Sequence, residues 1–233
     1  MVTIFAFIDI LKQPCYTYHS ERRLVIMDIK RIDSYTDPRF SEEVLLQHGA
    51  FIIDEKYPCS FKIISENAAE AEYHDCSSIA PIIERFRFFA EHINVFYDSE
   101  GNVIAQYDPV EVKTIPLEEI QPSQFYADED KVNAVKSFIR SGEDIIVPVM
   151  FDGRINRYIS LDGHTRMYYA FLQGYKSVKV FEAETNDFIF RFADEAIKRG
   201  VNKVSDIKML THEEYEIKWN KFCDDFFGRG SDD

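Results

Sequence analysis

One junction limits this chain more than any other. The strand-like run Arg157–Leu161 meets Asp162-Gly163 and passes at once into a helical stripe closed by Gly174. Met167, Ala170 and Phe171 are expected on the inner face of that helix. A further strand, Val178–Phe181, follows it. Just upstream, Ile145–Phe151 and Arg157–Leu161 flank Asp152-Gly153, which reads as a tight turn between two strands. A hairpin, a sharp glycine turn, a helix and a third strand are thus packed into about forty residues.

Elsewhere the punctuation is similar. Residues 3–10 and 23–32 are apolar enough for strands or short helices, without clean periodicity. Ser41 opens one or two helical turns ended near Gly49. Ala50–Asp54, Ser60–Ile64 and Ala69–His74 are β-leaning runs, broken by Lys56-Tyr57-Pro58 and Glu66-Asn67, and suggest a small antiparallel sheet. Ser78 caps an expected helix with Pro81 in its first turn and Ile82, Ile83, Phe86, Phe89 and Ala90 as its apolar stripe. Ile93–Tyr97 and Val103–Tyr107 flank a glycine-containing loop and read as a hairpin. Asp108-Pro109 marks a boundary. Asp128 is expected to cap a helix of about thirteen residues stopped at Gly142. The tail reads as two helices. One runs from Thr185 to Arg199 before Gly200, and the other starts at the capping box Thr211-His212-Glu213-Glu214, with Tyr215, Trp219 and Phe222 on one face.

Charge narrows the function. The net charge is −14, from 41 acidic and 27 basic residues. Non-specific nucleic-acid binding needs Lys and Arg to displace counterions from phosphates, so DNA is a poor partner for this balance. No apolar run approaches the ~18 residues of a membrane span. The first residues lack a signal-peptide pattern, and a cytoplasmic protein is expected. Cys15, Cys59, Cys76 and Cys223 have no metal-motif spacing and read as reduced thiols. The 20 Phe and 13 Tyr read as core side chains, as does the aromatic helix around Phe86, Phe88 and Phe89.

The junction also carries the chemistry. A glycine turn ahead of a helix leaves the first backbone N–H groups unpaired, and the helix dipole adds partial positive charge there, so an anion is stabilised. Gly163 permits positive φ and close approach of a phosphate. Arg166 offers a planar bidentate donor, Thr165 a hydroxyl, and His164 an imidazole donor or a base near neutral pH. Asp162 can hold Mg²⁺ against phosphates. Taken singly, each has a structural reading: Asp162 as a helix cap, Gly163 as a turn residue, Arg166 as an ion-pair partner. Five together at a strand–helix junction point to a phosphate cradle.

Residues 114–183 resemble the ParB/sulfiredoxin superfamily. The resemblance rests on Ile115-Pro116-Leu117, Ile120-Gln121-Pro122, Val147-Pro148-Val149, Ile159–Arg166 and Leu172-Gln173-Gly174-Tyr175. The tail around Leu210–Tyr215, Trp219 and Cys223 is similar to tails on small bacterial ParB-like proteins. The resemblance implies a small mixed sheet with helices over 113–183; the residues on either side read as a separate α+β domain of unknown type over 1–112 and a helical extension packing on the sheet over 184–233, so that the whole chain is expected to be α+β. The resemblance also implies a nucleotide ligand (ATP, ADP or CTP, with Mg²⁺) held by Gly163, His164, Thr165, Arg166, Ser123 and Gln124. His164 and Asp162 are then the candidate catalytic groups. ParB proteins carry G-E-R-R at this loop and sulfiredoxin G-C-H-R, with a nucleophilic cysteine where this chain has His164. The loop D-G-H-x-R is that of free-serine kinases of the superfamily, which place a catalytic glutamate shortly after the lead-in proline. Here Ser123 and Gln124 follow Pro122, and Glu118, Glu119 and Glu129 lie off the matching position. The resulting expectations are a nucleotide-dependent phosphotransferase or hydrolase acting on a small molecule, a non-catalytic nucleotide or phospholigand-binding module, and, least favoured by charge, a DNA-binding or nuclease protein.

Overall fold

In the computed structural model, which describes residues 27–73, 79–88 and 90–228, the chain is α+β and divides into two compact units, with the sequence boundary between Glu111 and Val112. Ser78, Phe89, His74, Cys15, Cys76 and residues 3–10 lie outside the described residues.

The first unit, described from Met27, is built on a sheet ordered β1 to β6. Its strands are β1 Ile29–Arg31, β2 Ala50–Ile53, β3 Tyr57–Ser65, β4 Ala68–Tyr73, β5 Val95–Tyr97 and β6 Val103–Gln106. Neighbours run antiparallel except β4 and β5, which are parallel because helix α2 (Ala80–Arg87) carries the chain across between them. The sheet is therefore larger than the three expected strands, and one pairing is parallel. Tyr57 and Pro58 do not break it. The turn falls at Asp54 and Glu55, which take positive φ, and Pro58 lies inside β3. Short helix α1 (Glu42–Leu46) starts at Ser41, whose hydroxyl accepts from the Val44 amide. Phe51, Phe61, Phe86 and Phe96 pack between sheet and α2, Phe61 stacked on Phe86 and the other pairs edge to face, with Ile82 and Ile83 buried beside them.

The second unit holds the cradle. Strands β7 (Val112–Pro116), β8 (Ile120–Gln121), β10 (Ile146–Asp152), β11 (Arg157–Ser160) and β12 (Ser177–Glu182) form a mixed sheet ordered β7-β12-β10-β11-β8. β10 and β11 are the expected hairpin. Its turn is pinned by Asp152, a buried carboxylate that accepts from the backbone amide and guanidinium of Arg154. That guanidinium holds Asp152 below the usual carboxylate range. A second sheet of β9 (Tyr126–Asp128) and β13 (Lys208–Leu210) is parallel.

Helix α3 (Glu129–Val135) begins where expected, with Asp128 accepting from the Asp130 amide, but it is shorter than the sequence suggests. The backbone loosens into turns after Lys136, and Gly142 opens a 3-10 turn rather than ending the helix. Helix α4 (His164–Leu172) buries Met167 and Ala170, while Phe171 is 40% exposed and not on the inner face. Tail helix α5 (Phe188–Lys198) starts three residues beyond Thr185, and α6 (His212–Gly228) follows the Thr211 cap.

These tail helices share the sheet's core. Phe192 touches Trp219, Phe222, Phe226 and Phe227, and Phe125 meets Trp219 and Phe222. Cys59 and Cys223 are buried thiols, and burial raises Cys223 to about 12. No helix among the described residues is long and apolar enough to cross a membrane.

Because Phe192 is fully buried at the centre of the aromatic cluster, Phe192→Ala is expected to destabilise this unit by about 3–5 kcal/mol. Trp219 is the one tryptophan of the chain, so fluorescence-monitored urea unfolding reads this unit selectively.

Candidate functional site

The cradle starts from a backbone constraint. Gly163 caps α4 in the left-handed region at φ +78°, and no side chain caps the helix start. A Cβ at this position would lie 2.4 Å from Val147 Cγ1 on β10 and 3.1 Å from Arg166 Nη2. Glycine is thus required twice: by the positive φ, and by the close packing of loop on central strand. By helix geometry the amides of His164, Thr165 and Arg166 have no carbonyl one turn back, and the helix dipole places partial positive charge on them.

Arg166 stands in the first turn. Its Nη1 donates to the Ile146 carbonyl at 3.0 Å, and its Nη2 lies 3.4 Å from Asp162 Oδ2. The guanidinium is anchored on β10 yet keeps about a quarter of its side chain exposed, and Asp162 is 44% exposed. Thr165 is half-buried beside them.

His164 turns the other way. It is only 6% exposed, and its Nε2 lies 2.9 Å from Ser160 Oγ and 3.0 Å from Ser123 Oγ. Ser123 in turn donates to the Ser160 carbonyl at 2.7 Å. With the Ser123 proton committed there, the 3.0 Å contact is satisfied by a proton on Nε2. Burial, assisted by the Arg166 charge and opposed by Asp162, lowers His164 to about 4. The ring is neutral at physiological pH and ties β11 and the 121–125 segment to the start of α4.

Of the residues singled out from sequence, Asp162, Gly163, His164, Thr165 and Arg166 form one turn, and Ser123 joins them through His164. Gln124 does not join them. Its amide donates to the Tyr126 carbonyl at 2.8 Å and to the Tyr215 hydroxyl on α6 at 2.9 Å.

Several supports were not read from sequence. Arg157 donates to the carbonyls of Glu118, Ile120 and Asn202, and the buried Gln121 amide donates to those of Pro122 and Val201. Ser160 completes the histidine pocket. Their partners are mostly backbone carbonyls dozens of residues away, which leave no spacing signature.

No family model matches the chain, and no curated protein matches it. Among solved structures, protein Atu1540 from Agrobacterium tumefaciens aligns over 41% of this chain and 52% of its own, at 17% identity and a TM-score of 0.28. The chain thus spans about half the length of that relative. A likeness at this score decides neither fold nor function.

Two outcomes test the geometry. Gly163→Ala is expected to cost about 2–4 kcal/mol, combining left-handed strain with overpacking on Val147. Adding Val147→Ala should cost less than the two single losses summed, read by urea unfolding, because it relieves the same clash. The neutral state of His164 gives a pH signature. Its pKa is lower folded than unfolded, so its contribution is complete above an unfolded value of about 6.5. It is lost as pH falls toward about 4. The full loss amounts to about 3 kcal/mol. His164→Gln should flatten that part of the stability–pH curve; a curve with unchanged slope would remove the assignment.

Proposed function

We propose that the unit spanning residues 112–228 binds the phosphate groups of a nucleotide at the start of α4, in the manner of the ParB/sulfiredoxin superfamily that its loop resembles. The observation that carries this reading is the Gly163 cap. A positive-φ glycine leaves the first amides of a nine-residue helix without a side-chain cap, with an arginine about a quarter exposed in the same turn. Amides, dipole and guanidinium together favour an anion, and a phosphate offers the tetrahedral acceptors to use all three.

Asp162 sits 3.4 Å from the guanidinium and would repel a bare phosphate. The same position suits a Mg²⁺ site, because Mg²⁺ is commonly held by one or two carboxylates plus substrate phosphates. When bound, that ion would supply neutralising charge. The protein's own contribution is the backbone amides, the Arg166 donor, and a His164 ring that fixes the turn. ATP, ADP and CTP all carry the phosphates this site reads.

A specific observation favours binding without turnover. The position after the lead-in proline holds Ser123, whose hydroxyl donates to the Ser160 carbonyl and contacts His164. It offers no carboxylate base. His164 has Nε2 inside the fold and a lowered pKa, which makes it a positioning group here. A nucleotide- or phospholigand-binding regulatory module is therefore the reading ahead of a small-molecule kinase or nucleotide hydrolase. DNA fits poorly with a net charge of −14.

Thermal-shift and calorimetric titration of the full chain with ATP, ADP and CTP, with and without Mg²⁺, tests the proposal. Nucleotide should raise the melting temperature and the matching nucleoside should not. Arg166→Gln should weaken binding at least about tenfold, the loss expected for one charge-assisted hydrogen bond. Equal binding of nucleoside and nucleotide, or none of either, would refute the cradle. Phosphate release, or phosphoserine formed from added serine, would replace the regulatory reading with the enzymatic one.

A further inference from the structure

A second polar cluster lies apart from the cradle residues, where two helix starts are brought together. β9 and β13 run parallel, with Leu210 opposite Asp128. Each strand leads directly into a helix, so α3 begins after Asp128 and α6 begins at His212, side by side. This register delivers three metal-ligating side chains to one place. The donor atoms of Asp128, Asp130 and His212 all lie within 4.8 Å of one another.

Their surroundings are unequal. The Asp128 carboxylate is fully buried, with Oδ1 accepting from the Asp130 amide at 2.9 Å and Oδ2 2.8 Å from His212 Nδ1. His212 is half-exposed and Asp130 exposed, so the cluster is open on one side. One turn along α6, on the same helix face as His212, stands Glu216. Its Oε2 accepts from Asn220 at 3.2 Å. Its Oε1 is a buried atom with no hydrogen-bond partner among the described residues. A buried carboxylate oxygen without a protein partner is costly, and a cation or a water beside it would satisfy it.

We propose that Asp128, Asp130 and His212 bind a divalent first-row transition metal of the zinc type, with the Glu216 carboxylate one helical turn along α6 adding negative charge nearby. An imidazole with carboxylates selects such ions over Mg²⁺ or Ca²⁺, which prefer all-oxygen sites. Tetrahedral zinc separates neighbouring ligand atoms by about 3.3 Å for bonds of about 2.0 Å. The Asp128–His212 contact thus needs to open by only a fraction of an ångström to admit the ion. Asp128 Oδ1 keeps its backbone amide, the outer hydrogen bond that orients a ligating carboxylate. The bound ion would fasten α6 to the β9–α3 corner, joining the tail to the sheet unit through metal bonds as well as aromatic packing.

The bland competitor is a plain Asp128–His212 hydrogen bond, to which the Asp130 carboxylate contributes nothing. Asp130 is exposed, so Asp130→Asn discriminates without threatening the core. The chelator-treated full chain is titrated with Zn²⁺ by calorimetry and with Co²⁺ by visible absorption, and circular dichroism confirms that each variant is folded. One metal per chain is expected, with Co²⁺ bands of nitrogen and oxygen ligation and no thiolate charge-transfer band. Asp130→Asn and His212→Gln should each weaken binding at least about tenfold, the lower end of what loss of even an outer partner brings. Absence of saturable binding, a thiolate spectrum from Cys59 or Cys223, or an affinity that either substitution leaves unchanged would each overturn the site.

Discussion

The close packing of Gly163 on Val147 is the constraint from which the second unit is organised. A backbone that passes this near β10, at positive φ, can turn only one way, and the turn fixes where α4 starts. With α4 placed, Met167 and Ala170 face the core, Arg166 reaches the Ile146 carbonyl, and His164 enters the pocket between Ser160 and Ser123. These contacts reinforce one another. Each neighbour holds the loop in a conformation that an ordinary residue at position 163 would resist.

The short stretch from Gln121 to Phe125 links this loop to the tail. Ser123 holds His164, Gln124 donates to Tyr215, and Phe125 packs on Trp219 and Phe222. Ser123 thus faces the cradle while the next two residues face α6, so the tail helices are part of the packing that supports the loop. The strong aromatic content follows from the same design. Two helices set against a small sheet need wide side chains to fill the space between them, and Phe192, Trp219 and Phe222 do so with edge-to-face and tilted contacts.

What was legible in the sequence was local. Ser41, Asp128 and Thr211 cap the helices expected of them, because a capping bond spans only two or three residues. Gly163 and Gly174 likewise mark the ends of α4, and both have positive φ. Longer-range choices were hidden. Pro58 lies within β3, although a proline there resembles a break. Helix α3 stops early although Val132, Val135 and Ile139 keep a helical stripe, since buried side chains can be supplied equally well by the turns that follow. Strands of two or three residues such as β8, β9 and β13 carry no periodicity: β8 is aligned by the longer β11, and β9 and β13 only by each other. Within the candidate site, the turn itself could be read but the direction of His164 could not. That direction depends on Ser123, forty-one positions away in the chain.

The opposed charges at the cradle bear on how a phosphate would enter. The Asp162–Arg166 pair is partly exposed and spans one helical turn, a geometry worth well under about 1 kcal/mol in water. Arg166 is held more firmly by the Ile146 carbonyl than by Asp162, at 3.0 Å against 3.4 Å. A phosphate arriving at the uncapped amides therefore has little to displace: the guanidinium keeps its backbone anchor while its outer edge turns to the anion. The liberated carboxylate is then the nearest negative group, and repulsion is avoided only if it moves away or shares a cation with the phosphate. In the proposed site Asp162 accordingly acts less as a phosphate ligand than as the group that makes phosphate binding depend on Mg²⁺.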